Sequence, residues 1–268
     1  MKYLFLTSIF CFCVSAPAIF AQRVGFQEGK RSDKNVSVHE FSQLKKSVVH
    51  QEKLLQEILM GEIFLSSIAD SKWLTVKNFS PAGWAASFTF LYALYRILDD
   101  CNPKCILEMG IGQTTKMTTQ YVATNKAAKL LVVDHNQQWI DLFKPQITQS
   151  ENVQILRLNL EKASFEGKAT AVYQDLAKSV GETKFDLIIV DGGDRGYRTS
   201  VFDLIPNNLE KSFVIILDDY HFQDKNQTGK ALLAKLKTEK IAHGHAVFSG
   251  LKKQLVIFSP NFKFLKSI

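Results

Sequence analysis

The chain has 268 residues, 46% of them hydrophobic and 22% charged, which is enough apolar surface for one α/β domain of ordinary size plus an N-terminal extension and excludes a disordered protein. A formal net charge of +7 suits an acidic partner such as nucleic acid or an anionic membrane surface. The lysines are spread along the chain without a dense basic block and interleaved aromatics, so nucleic acid is set aside as a partner.

Met1 and Lys2 precede an uncharged run from Tyr3 to Ala21, with Ser15, Ala16, Ala18 and Ala21 gathered at its far end. A basic start, an apolar middle and the exit Ala16-Pro17-Ala18 have the shape of a cleaved secretory signal. The same run is just long enough for an uncleaved anchor, which needs about 20 apolar residues. Arg23, Lys30, Arg31 and Lys34 outweigh Lys2, and by the positive-inside rule this keeps the chain beyond the run in the cytoplasm. Residues 1–21 are therefore predicted to anchor the chain in a membrane with its domain facing the cytosol; export after signal-peptide cleavage is the alternative. The polar stretch 22–36, carrying Gly25 and Gly29, reads as a linker.

From Phe41 onward Phe41, Leu44, Val48, Leu55, Ile58 and Leu65 recur at spacings of three and four, which predicts helix. Gln51 and Glu62 interrupt this seam, and both a helix laid on a domain and a self-associating helix forming a homo-oligomer fit it. Asn78 to Gly83 is a break, after which Trp84 to Leu98 resumes as an amphipathic helix. Residues 37–98 thus form an N-terminal helical region and 99–268 the main domain. Cys101 and Cys105 have the spacing of half a metal site, but no second Cys or His pair stands near to complete it, and a helix-end and a strand cysteine are the reading kept.

Lys104 to Asp134 carries the strongest signal. Ile106 and Leu107 end a short strand, Gly110 and Gly112 break it, and Thr114 to Asn125 is a helix that starts at the turn. A second apolar run, Leu130 to Val133, stops at Asp134, so the piece is half of a βαβ unit with a carboxylate at the tip of its second strand. A nicotinamide dinucleotide fold begins in the same way, but Thr115 stands where its third glycine belongs, and Glu108 precedes the first glycine. Pyrophosphate on a helix N-terminus seeks backbone N–H groups without a nearby anion, so Glu108 opposes a dinucleotide and favours a cationic ligand.

Beyond Asp134 the pattern predicts a helix Gln137 to Phe143 closed by Pro145, a strand Val153 to Leu158, and a helix Thr170 to Ser179. Phe185 to Gly193 (FDLIIVDGG) is a continuous apolar strand ending in Asp191, as expected of a parallel strand buried on both faces. Asp194, Arg195 and Arg198 enter another helix, and Phe213 to Leu217 is a fifth strand ending in Asp218-Asp219. Helix Gly229 to Lys237 precedes His245 to Ser249 and Gln254 to Ser259, whose short join at Gly250 makes them an antiparallel hairpin. The predicted fold class is α/β: a Rossmann-like, seven-stranded, mostly parallel sheet closed by a C-terminal antiparallel hairpin and preceded by N-terminal helices.

At Glu108, Gly110 and Gly112 the chain resembles the class I S-adenosylmethionine-dependent methyltransferases, whose first motif is an acid, a gap, glycine, a gap, glycine. Thr114 stands where many members have a third glycine. The resemblance runs with gaps from about Lys104 to Ser259. It implies S-adenosylmethionine as cofactor, Asp134 as the acid that binds the ribose hydroxyls, His135 to Trp139 as the segment flanking the adenine, and Asn159 as a polar contact to adenine. Because that cosubstrate is made in the cytosol, the resemblance also favours the anchor over export.

Acids stand at three strand tips, Asp134, Asp191 and Asp218-Asp219, and in an open α/β sheet those tips face one crevice. Asp191, Asp218 and Asp219 match the metal-binding Asp, Asp and Asn of metal-dependent small-molecule O-methyltransferases of the catechol type, the last being Asp here as in some sugar O-methyltransferases. That implies Mg²⁺ or a similar hard cation on Asp191, Asp218 and Asp219, with Asp191 catalytic. His221, two residues beyond, is the candidate general base, as its pKa lies in the working range. The expected activity is O-methylation of a hydroxylated small molecule or glycan. The alternative is a non-catalytic exported or membrane-associated domain that kept the fold.

Overall fold

The computed structural model describes residues 38–268 except Ala82, Trp84, Asp194 and Arg195. The expected anchor, the linker and the proposed start of a helix at Trp84 lie outside these residues. Among the described residues no helix is long and apolar enough to cross a membrane.

Five apolar runs pair in parallel to make the centre of the molecule. These are β1 (Cys105–Met109), β2 (Lys129–Asp134), β3 (Val153–Arg157), β6 (Phe185–Val190) and β7 (Leu209–Leu217). Two further strands, β8 (Gly244–Ser249) and β9 (Lys253–Phe258), close the sheet as an antiparallel hairpin with β9 against β7. The spatial order is β3-β2-β1-β6-β7-β9-β8. The order reverses between β1 and β6, and a sheet of this kind binds ligands at the carboxyl ends of the strands beside such a switch point.

Successive residues of the central strands feed two cores. Ile106, Val132, Leu187 and Ile189 face one side of the sheet, and Leu107, Val133, Ile188 and Val190 the other. That two-sided burial is why these strands read as continuous apolar runs and do not alternate. The first side is covered by α2 (Phe88–Cys101) and α3 (Gln113–Thr124), to which Phe64 and Ile68 near the end of α1 (Val38–Ile68) and Ile140 and Phe143 of α4 (Gln137–Phe143) add. The second is covered by α5 (Leu176–Val180), a 3₁₀ segment (Thr199–Leu204) and α6 (Gln223–Thr238).

Val48–Ile268 form one compact unit, and Val38 to Ser47, which are helical, stand outside it. Within the larger unit α1 presents Phe64 and Ile68 to the core, while Leu55 and Ile58, from the seam read in the sequence, are 67% and 64% exposed. The periodicity located the helix, and the seam it picked out is not the face that meets this core. Gly61 is what lets α1 approach α2, since a Cβ there would stand 3.1 Å from the Phe88 ring.

The predicted helix Thr170 to Ser179 is corrected. Lys168–Tyr173 is strand β5, antiparallel to β4 (Leu160–Phe165), and only Leu176–Val180 is helical. Glu166 and Gly167 join the two strands, both at positive φ (50° and 76°), which is the geometry of a two-residue hairpin turn. The helix expected from Asp194 onward is also shorter: Arg198 sits at φ 53° and the turn after it is 3₁₀. The remaining predicted strands and helices stand within a few residues of their expected limits, although β7 starts earlier and α6 is longer at its N-terminal end.

Candidate active site

Strand β1 ends at Met109, and Gly110 turns the chain at φ +104° while its N–H donates to the Val133 carbonyl at 2.8 Å. On the other side the Met109 carbonyl accepts the N–H groups of Asp191, at 3.0 Å, and of Gly192. The first glycine turn is thereby stitched to the tips of both neighbouring strands. Gly112 has open space around its Cα, and its N–H donates to the Thr115 hydroxyl at 2.9 Å. Thr115 therefore supplies a cap at the position where a dinucleotide fold would have its third glycine.

Glu108 is wholly buried. Its Oε1 accepts the hydroxyls of Thr114 at 2.6 Å and Thr115 at 2.8 Å, and its Oε2 accepts that of Thr118 at 2.6 Å. Burial pushes its pKa up to about 7, against the threonine hydrogen bonds, which favour the ionised form. The carboxyl that the sequence offered to a cationic ligand is thus engaged with α3, and a ligand would reach it by displacing a threonine. Thr114, expected beside the cofactor, serves here as one of its partners.

Asp134, 5% exposed at the tip of β2, faces the turn directly. Its Oδ2 accepts the Ile111 N–H at 3.0 Å and its Oδ1 accepts the Asn136 N–H at 2.8 Å. Each carboxylate oxygen can accept a second hydrogen bond, so the pair keeps capacity for two hydroxyls. Trp139 donates from Nε1 to the Ile111 carbonyl at 2.6 Å, holding an indole that is 42% exposed beside the same turn. His135 is next to Asp134, its Nδ1 3.5 Å from Asp134 Oδ1 and without a hydrogen bond among the described residues. Asn159 is exposed at the start of the β4–β5 hairpin, its side-chain oxygen 3.4 Å from an Arg157 guanidinium nitrogen.

Asp191, Asp218 and Asp219 converge as expected, each offering an oxygen within 4.8 Å of the others. A cation already stands among them. Arg198 donates from Nη2 to Asp219 Oδ2 at 2.7 Å and pairs from Nη1 with Asp191 Oδ1 at 3.1 Å. Lys252 Nζ is 3.9 Å from Asp219 Oδ1, and the Gln254 side-chain amide donates to Asp218 Oδ1 at 2.8 Å. Burial, then the Asp218 charge, pushes the Asp191 carboxyl up to about 8, and Asp191 and Asp218 hydrogen-bond to each other. A hard divalent cation needs several oxygens turned toward one point with no competing positive charge. Here nitrogen donors hold oxygens of all three acids, so the donor set does not fit Mg²⁺ as it stands. The sequence pattern assigned Arg198 only to a helix. A cationic residue between two acid-tipped strands was the signal available, and its direction was not.

His221 is exposed on the loop after β7 with its ring 4.1 Å from that of Phe222, centroid to centroid. Partial desolvation of the ring, whose Nδ1 side faces the β8–β9 join, outweighs the nearby Asp219 and Asp218 charges and lowers its pKa. Its Nδ1 accepts the Lys253 N–H at 3.5 Å.

No family model matches the chain, and no curated protein does. Solved structures do. An SAH-bound methyltransferase from Podospora anserina is 15% identical, covers 82% of this chain and 96% of its own, at TM-score 0.43. An O-methyltransferase from Bacillus cereus in complex with SAH is 13% identical over 75% of this chain and 90% of its own, at TM-score 0.45. A precorrin-6y C5,15-methyltransferase from Geobacter metallireducens is 12% identical over 68% and 94%, also at TM-score 0.45. Identity this low, with TM-scores under 0.5, ties the chain to none of these proteins' activities. The sheet order and its antiparallel closure define the fold without them, and by these the chain has a Rossmann-like α/β fold with a seven-stranded, mostly parallel sheet.

Proposed function

We propose that the chain binds S-adenosylmethionine at the β1–α3 turn and transfers its methyl group to a hydroxyl oxygen of a small molecule or glycan. The observation that carries this reading is the joint of Asp134, Ile111 and Trp139: one peptide unit of the turn is held at its N–H by the carboxylate and one at its carbonyl by the indole. A carboxylate with two free acceptor positions suits a ribose diol, and an exposed indole beside it suits a purine face. Neither a phosphate nor a nicotinamide is needed to explain the pair.

In the transfer the acceptor oxygen attacks the sulfonium methyl in line. The O–CH₃ bond forms as the C–S bond breaks, its electron pair returns to sulfur, and the hydroxyl proton passes to a base. His221 is the residue that the sequence offers for that base. The His221 imidazole is neutral at pH 7 with its lowered pKa, but its Nδ1 lone pair already faces a backbone N–H. Asp191, at the tip of the strand next to the turn, is pushed up to about 8 and pairs with Arg198, so it is mostly protonated at pH 7, and we assign the proton to His221, whose contact with that N–H is a long 3.5 Å. Most of the acceleration would come from holding the two reacting atoms in line.

The test is calorimetric titration of S-adenosylhomocysteine into the full-length protein beside the Asp134→Ala variant. Binding that the variant loses, by roughly 10-fold to 100-fold as expected for a lost charged hydrogen-bond acceptor, supports the reading. A folded wild-type protein that binds none would overturn it.

A further inference from the structure

We propose that Arg198 stands permanently where a divalent cation would sit, so that the Asp191, Asp218 and Asp219 cluster of this chain is a guanidinium-filled site that takes up no metal. The cluster has the look of a cation site: oxygens of residues just beyond β6 and β7 converge within 4.8 Å, and two of the three acids, Asp218 and Asp219, are buried. Convergent carboxylates repel one another unless a positive charge stands between them.

The chain supplies that charge itself. A guanidinium is planar and forked, so one side chain can bridge carboxylates on two strands, which the point charge of a lysine does less well. Arg198 bridges in this way, from Asp191 at the tip of β6 to Asp219 at the tip of β7. Its side chain is 9% exposed, and Nη1 lies 3.4 Å from the Val190 carbonyl at the end of β6. Its backbone takes the left-handed conformation, φ 53° and ψ 44°, which an L residue adopts at a cost when the surroundings hold it there. Asp219 does the same at φ 58°. The two bonded partners therefore both sit in unusual backbone positions.

Two further donors complete the arrangement. Gln254 on β9 donates to Asp218, and Lys252 stands 3.9 Å from Asp219 with its ammonium also donating to the Ala85 carbonyl at 2.8 Å. An incoming divalent ion would have to break these bonds and settle beside two positive side chains. Charge and hydrogen bonding both resist it, and a methyl transfer at this site would then run without a metal. The cluster's role is to lock the segment between β6 and β7 onto both strand tips.

The test uses Mn²⁺ as the probe, titrated into the full-length protein and followed by the electron paramagnetic resonance of the free ion. It needs neither cofactor nor turnover, so its outcome is separate from that of the S-adenosylhomocysteine titration. Wild type is expected to leave Mn²⁺ free at millimolar concentration. Arg198→Gln, which removes the charge, is expected to take up one ion per chain at least 10-fold more tightly, and adding Asp218→Asn should abolish that uptake. Arg198→Lys, which keeps a positive charge, should fold and remain without metal, and it stands in if the Gln variant does not fold. The proposal is overturned if wild type binds one Mn²⁺ that Asp218→Asn releases, if Arg198→Lys binds the ion, or if a folded Arg198→Gln binds none.

Discussion

Gly110 and Gly192 meet backbone against backbone: a Cβ on Gly110 would stand 2.6 Å from the Gly192 nitrogen. The contact joins the turn after β1 to the turn after β6, the two strands between which the sheet order reverses. Backbone cannot move aside as the end of a flexible side chain can, and Gly110 is also at φ +104°. Gly110→Ala is expected to cost about 3 kcal/mol or more from strain and overlap together, read as a fall in the denaturant midpoint.

Gly112 should behave in the opposite way. Nothing lies within 4 Å of a Cβ built there, and its φ of −177° is extended backbone open to any residue. Gly112→Ala is expected to change stability by less than about 1 kcal/mol, since no contact is disturbed. If S-adenosylhomocysteine occupies the turn, the new methyl group projects into its space, and calorimetry should show binding weakened while the midpoint holds. Unchanged affinity would move the ligand away from this glycine.

Glu108 gives a pH dependence with a definite sign. Its folded pKa, about 7, lies above the ordinary 4.5, so the unfolded chain releases this proton first as pH rises. The stability it contributes is full below pH 4.5 and is lost progressively up to about 7, on the order of 3 kcal/mol in all. Glu108→Gln should remove that slope, because an amide can accept from Thr114 and Thr115 and donate to Thr118, whose hydroxyl can turn to the Thr115 carbonyl at 3.3 Å. Denaturant midpoints of both proteins from pH 4.5 to 7.5 measure the difference; parallel curves would refute it.

Gln120 ties the segment before the active-site helices to α3. Its side-chain oxygen accepts the N–H groups of Thr75 at 3.0 Å and Val76 at 2.7 Å, and its amide donates to the carbonyls of Val76 at 3.0 Å and Lys116 at 2.8 Å. It is 4% exposed, so truncation leaves backbone groups without a partner. Gln120→Ala is expected to cost about 2–4 kcal/mol in chemical unfolding.

Trp139→Phe keeps an aromatic ring but deletes the 2.6 Å bond from its indole to the Ile111 carbonyl. If that bond positions the turn, affinity for S-adenosylhomocysteine should fall about 5-fold to 10-fold, the worth of a hydrogen bond of roughly 1 kcal/mol, with little change in stability. An unaltered affinity would leave the indole no part in the site.

The sequence by itself determined the layered frame. Apolar runs that end in acids, Leu130 to Asp134 and Phe185 to Asp191, can satisfy their backbones and bury both faces only as interior parallel strands, so strand identity was readable from local pattern. The glycine turn was readable for the same reason, since Gly110 marks a backbone conformation that other residues resist. Tertiary structure decided what those residues face. A periodic stripe does not say which side of α1 meets the core, and it is Phe64 that is buried while Leu55 and Ile58 of the stripe are exposed. Likewise Lys168 to Tyr173 became a strand because Leu160 to Phe165 was there to pair with it through Glu166-Gly167. Whether a carboxyl is offered to a ligand or consumed by the protein depends on contacts distant in sequence. Glu108 turned to threonines of α3, and Asp191 and Asp219 turned to Arg198, because a buried charge must be met by the nearest donor that the folded chain can bring to it.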